Sequence, residues 1–137
     1  MKTLRLILGD QLSLNLPTLR DIDPVTDIVL MAEVMTEVTY VKHHKRKIAF
    51  LFSAMRHFAK SLEDDGLKIS YRQLDDPENA GSLAGEVTAA INVFDPDRIV
   101  VTAPGEYRLA EDMAGWQKLF NLPVIILPDT RFLSELA

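Results

Sequence analysis

Two periodicities alternate along this chain. Five short apolar runs, Leu4 to Leu8, Ile28 to Met31, Leu67 to Tyr71, Ile99 to Thr102 and Val124 to Leu127, have the length expected of buried strands. Between the second and third, Ile48, Leu51, Phe52, Met55, Phe58, Ala59 and Leu62 recur at steps of three and four. That spacing predicts an amphipathic helix, stopped by Gly66. Leu83, Val87, Ala90, Ile91 and Phe94 predict a second, with Ser82 as its N-cap and Asp95-Pro96 as its end. Leu109, Met113, Trp116, Leu119 and Phe120 predict a third, broken by Asn121 and Pro123, and a weaker helical turn falls around Pro17 to Asp21.

Strands alternating with helices need crossover connections, which produce a parallel sheet covered on both faces. The expected fold is therefore α/β: a doubly wound, three-layer, Rossmann-like domain with five parallel strands in the order 3-2-1-4-5. Ligands of such sheets sit beyond the carboxyl ends of the strands, near the point where strand order reverses. Gly9-Asp10-Gln11 and Ala103-Pro104-Gly105-Glu106 fall there, with Ala32-Glu33 alongside.

Composition narrows this picture. The 137 residues, 47% of them apolar, suffice for one domain with one core. A net charge of -5 is not that of a free-standing nucleic-acid binder, so any such contact is local. The lack of cysteine removes disulfides, thiolate nucleophiles and cysteine-ligated metal clusters. The amino-terminal apolar run is too short for a membrane span and lacks a cleavage pattern, so the expectation is a soluble, cytoplasmic and monomeric domain. From Asp129 to Ala137 a new apolar pattern begins and stops, which reads as a domain boundary: 1–128 as the α/β domain, 129–137 as the start of a linker.

The segment Glu37-Val38-Thr39-Tyr40-Val41-Lys42-His43-His44-Lys45-Arg46-Lys47-Ile48 enters the first helix with four cations and two histidines where helix starts ordinarily carry acids. Such runs are most often solvated surface. Glu37 and Tyr40 change the reading, because a directional acceptor and a flat phenol suit a polar, partly aromatic organic ligand.

The common catalytic signatures are missing. Neither G-x-x-x-x-G-K-[ST] nor G-x-G-x-x-G occurs, and His43, His44 and His57 lack the i, i+4 pairing of a helical metal site. A phospho-acceptor receiver would need a lysine after the fifth strand, where Leu127-Pro128-Asp129 stands. Ser53 and Ser61 have no Asp–His partner at a readable spacing. Asp10 taken alone reads equally as a turn cap and as a ligand contact, and its position after the first strand tips it to the ligand; Trp116 reads as core.

Leu6-Ile7-Leu8-Gly9-Asp10-Gln11-Leu12, Glu33-Val34, the 37–48 segment, and Phe52-Ser53-Ala54-Met55-Arg56-His57-Phe58 together resemble one family. Asp75-Asp76-Pro77-Glu78-Asn79, Pro104-Gly105-Glu106-Tyr107-Arg108 and Asp129-Thr130-Arg131-Phe132 extend the match over nearly the whole chain. It is similar to the amino-terminal α/β domain of the deoxyribodipyrimidine photolyase-related proteins, the prokaryotic (6-4) photolyases and iron–sulfur bacterial cryptochromes.

The resemblance implies an antenna domain that binds 6,7-dimethyl-8-ribityllumazine and feeds light energy to a flavin. It implies that FAD and a 4Fe-4S cluster belong to a helical carboxyl-terminal domain outside this chain, which acts on damaged DNA. It places Gly9, Asp10, Gln11, Glu33, Val34, Glu37, Tyr40 and Ile48 around the antenna, with Asp10 and Glu37 toward hydroxyl or ring N–H groups and Tyr40 and Ile48 toward the ring. No catalytic residue and no metal ligand is expected in this chain. A lumazine carries no phosphate, so the Lys42–Lys47 run stays unassigned between DNA phosphates and an interdomain role, the latter favoured. The competing readings are a nucleotide-binding α/β module and a non-catalytic scaffold domain.

Overall fold

A computed structural model describes residues 1–34, 45–105 and 107–130. Five parallel strands, β1 (Thr3–Leu6), β2 (Ile28–Ala32), β3 (Lys68–Arg72), β4 (Arg98–Thr102) and β5 (Val124–Leu127), lie in the order β3-β2-β1-β4-β5. The expected doubly wound α/β sheet is the one observed. Leu4 pairs with Ile28 on one side and Ile99 on the other, so β1 is central and buried along its length.

Side chains alternate across a strand, and this sorts the core into two layers. Leu4, Leu6, Leu8, Ile28, Leu30, Ile99 and Val101 face α2 (Leu83–Phe94), α3 (Tyr107–Ala114) and α4 (Trp116–Phe120). Ile7, Val29 and Met31 face α1 (Lys45–Asp64), through Met55, Ala59 and Leu62. Full burial of each such side chain stabilises by roughly 1.5–3 kcal/mol. On this second face a 3-10 turn, Pro17–Leu19, packs on β1 and β4 where the helical turn around Pro17 was expected.

Local signals explain the helix ends. Gly85 donates its backbone N–H to the Ser82 hydroxyl at 3.1 Å, the expected cap of α2, and Asp95 ends that helix in the left-handed region at φ 49°. Gly66, at φ +94°, closes α1. The third predicted helix is two. At Gly115 the backbone tightens, donating to Asp112 three residues back, and α4 starts anew. The break keeps Trp116 buried, edge-on to Phe120 at 5.6 Å, but leaves Leu119 65% exposed, outside the predicted stripe. Among the described residues no helix is long and apolar enough to cross a membrane.

Candidate functional site

The carboxyl edge of β1 and β2 lies under α1. Gly9, just past β1, is buried there: a Cβ in its place would meet the Met55 sulfur at 3.2 Å and Leu51 carbons at 3.6 Å. Glycine is therefore what lets the loop approach the helix. Asp10 turns outward and is exposed, and none of the hydrogen bonds among the described residues uses its carboxylate. With respect to the described residues it is an open acceptor.

Gln11 is different. Its side-chain oxygen accepts from Leu8 N–H at 3.2 Å, and its amide donates to the carbonyls of Thr102 at 3.0 Å and Ala103 at 3.5 Å. It bridges the ends of β1 and β4, across the strand-order reversal. The Thr18 and Thr102 hydroxyls share a hydrogen bond at 2.7 Å beside it. The gap in which doubly wound sheets commonly seat a nucleotide is thus filled by the protein's own side chains.

Glu33, one residue past β2, is fully buried. It accepts from Arg56 Nε at 2.7 Å and Nη2 at 2.8 Å, from the Tyr71 hydroxyl, and from Leu74 N–H at 3.0 Å, while Asn79 donates to its carbonyl at 2.8 Å. Burial pushes the Glu33 carboxyl upward, but the bonds from Arg56, Tyr71 and Leu74 outweigh it and hold it below the usual range. Arg56 is shifted upward, chiefly by its bond to Glu33, and the Tyr71 hydroxyl upward by burial and then Glu33. The carboxylate is fully engaged as an anchor; what it presents outward is the guanidinium, whose side chain is 48% exposed.

Val34 is buried beside this anchor and Ile48 is half-buried on α1. Glu37 and Tyr40 lie outside the described residues, as do Lys42, His43 and His44; Lys45, Arg46 and Lys47 form the first turn of α1. Val34 packs in the core layer that faces α2, α3 and α4, so it is Gly9, Gln11 and Glu33 that share the edge, with Ile48 near the start of α1. Arg56, Tyr71 and Asn79 complete that edge and were not foreseen as site residues. Local pattern did not mark Arg56, which falls outside the apolar stripe of α1 and would be read as an ordinary surface cation. Along the same flank, Ala49, Phe52, Ser53, Arg56 and His57 line an open groove of about 530 Å³. Among the described residues no group of His, Cys, Asp and Glu could hold a metal ion.

Comparison with known proteins adds what geometry cannot. Over 135 residues the chain is 50% identical to a (6-4) photolyase of Agrobacterium fabrum, covering 98% of this chain and 27% of that protein. The chain thus spans about a quarter of the length of the curated relative it matches. A family model described as deoxyribodipyrimidine photo-lyase-related protein matches residues 5–137, and the chain belongs to that family.

Proposed function

We propose that this chain is the antenna-binding, light-harvesting domain of a flavin-dependent DNA photolyase of the (6-4) type, with 6,7-dimethyl-8-ribityllumazine as its chromophore. The family membership and the 50% identity to a (6-4) photolyase carry this reading. The bound lumazine would absorb light and pass the energy to a flavin. FAD and a 4Fe-4S cluster would reside in a carboxyl-terminal helical domain, which would be this chain's partner and would engage damaged DNA in the cytoplasm.

The residues present suit such a ligand. Asp10, whose carboxylate no described residue engages, would offer an acceptor to ring N–H or ribityl hydroxyl groups, and Glu37 would add a second. Ile48 and Tyr40 would supply the apolar and aromatic walls. Gly9 brings the loop against α1, and Gln11 fixes the base of the loop to β4, so that Asp10 stays in place without spending its own carboxylate. The filled gap between β1 and β4 argues against a nucleotide in the common position.

Titration of the purified chain with 6,7-dimethyl-8-ribityllumazine, followed by its fluorescence polarisation with ATP in parallel, tests the reading. Saturable lumazine binding is expected, lost in Glu37→Ala and Tyr40→Ala. Binding of ATP alone would replace it with the nucleotide module.

A further inference from the structure

Two parts of the carboxyl edge lie one strand spacing apart. Counted in the register of β1 and β2, in which Leu6 pairs with Leu30, Gly9 falls level with Glu33. Neighbouring strands are about 4.8 Å apart, so the loop that carries Asp10 runs beside the Glu33 anchor. Helix α1 ties the two together. Gly9 lies against Met55, and the next residue, Arg56, holds Glu33 through Nε and Nη2.

These parts are opposite in hydrogen-bonding sense. The Asp10 carboxylate only accepts, and no described residue engages it. The Arg56 guanidinium only donates. Its Nε and Nη2 are committed to Glu33, which leaves Nη1 as the nitrogen outside that fork, on a side chain 48% exposed. Glu33 is itself fixed by the Tyr71 hydroxyl and by Leu74 N–H, so the guanidinium is held in place and loses little freedom on meeting an acceptor. Beside it, Ala49 and Phe52 give the groove of about 530 Å³ an apolar wall, in a volume typical of small-molecule sites.

Charge decides the kind of acceptor. Asp10 and Glu33 set two carboxylates against the single cation of Arg56, and that cation is already matched by Glu33. An anionic ligand would therefore meet the unmatched carboxylate of Asp10 and be repelled. A neutral ligand suits the edge if it presents a C=O and an N–H side by side, as a cyclic imide does. We propose that Asp10 and Arg56 together read the imide edge of the antenna's pyrimidinedione ring, Asp10 accepting from the ring N–H and Arg56 Nη1 donating to the neighbouring carbonyl. This pairing presupposes the antenna reading and adds to it the two residues that select the ring. Adenine has no carbonyl and its phosphates are anionic, so the same pair rejects ATP.

The test is titration of the full chain with 6,7-dimethyl-8-ribityllumazine and with its N3-methyl analogue, which keeps both carbonyls and loses the N–H. The parent should bind the N3-methyl compound about tenfold more weakly, the loss of one hydrogen bond to a charged group, and Asp10→Ala should abolish that preference. Arg56→Gln and Arg56→Lys should each bind the lumazine about tenfold more weakly while keeping the preference for the N–H form. Tyr71→Phe removes a partner of Glu33 but no donor to the ring, so it should bind as the parent does. Equal affinity of the parent for the two compounds would overturn the proposal, as would undiminished affinity in Arg56→Lys. A loss in Tyr71→Phe as large as in Arg56→Gln would also overturn it, by reducing Arg56 to a structural support. Failure of the parent to bind either compound would remove the antenna reading itself, and the ring contacts with it.

Discussion

Two of the domain's ion pairs, Arg5–Asp27 and Arg56–Glu33, differ in what faces them. Arg5 and Asp27 sit inside, with side chains 5% and 4% exposed and Nε to Oδ2 at 3.0 Å. Every side of that pair is used by the protein. Arg5 also donates to the carbonyls of Thr18 and Arg20 at 2.8 Å, and Asp27 also accepts from the N–H groups of Thr3 and Asp23. The Glu33–Arg56 pair has the same chemistry, but only its carboxylate is enclosed; its guanidinium opens on the groove of α1. The first pair fastens the long β1–β2 connection beneath the sheet. The second fastens the edge where a ligand would come.

Breaking the closed pair should have the largest effect. Asp27→Asn leaves the Arg5 charge buried without its counter-charge, which typically costs about 3–5 kcal/mol. For a chain of this size the thermal midpoint should fall by roughly 10 °C or more, measured by circular dichroism. Arg56→Gln should cost less, about 1–2 kcal/mol, because Tyr71 and Leu74 still satisfy Glu33 and water can enter from the groove. Equal losses in the two variants would erase the distinction between an enclosed pair and an open one.

Acid probes both pairs at once. Burial pushes the Asp27 carboxyl upward, but bonds from Asp23, Thr3 and Arg5 hold it below its ordinary value of 3.8, and Glu33 is held below its ordinary 4.5. A carboxyl with a lowered folded pKa contributes stability that is present above its unfolded pKa and lost as pH falls through the folded value. Urea midpoints should therefore fall below about pH 4.5, and Asp27→Asn should flatten part of that fall. Tyr71 carries the opposite sign: its raised pKa gives stability present below its ordinary 10.0 and lost as pH rises beyond it. Tyr71→Phe should remove that alkaline loss.

The same contrast explains what could be read from the chain alone. Apolar runs and helical stripes specify which faces must be buried, so the five strands, their parallel order and the caps at Ser82 and Asp95 followed from local pattern. Contacts between distant residues did not. Glu33 meets Arg56 and Tyr71 across 23 and 38 residues, and Gln11 meets Thr102 across 91, separations no periodicity encodes. Glu33 and Gln11 were singled out by position, beside a sheet edge, and their polar atoms prove to be engaged within the protein. The break at Gly115 was hidden for a different reason: Trp116 and Phe120 keep helical spacing on both sides of it, so the stripe reads as continuous.

The smallest effect belongs to an exposed ion pair. Lys60 lies 3.1 Å from Asp64 one turn on, with both side chains more than half exposed, so water solvates either charge when the other is removed. Bonds to Asp64 raise the Lys60 pKa without placing any buried group at risk. Lys60→Gln should leave the thermal and urea midpoints within measurement error of the parent. A clear loss would mean that the outward face of α1 contributes to stability as the buried pairs do. An unchanged midpoint would show that an exposed pair one helical turn long contributes nothing measurable to the fold, in contrast to the pairs with a buried carboxylate.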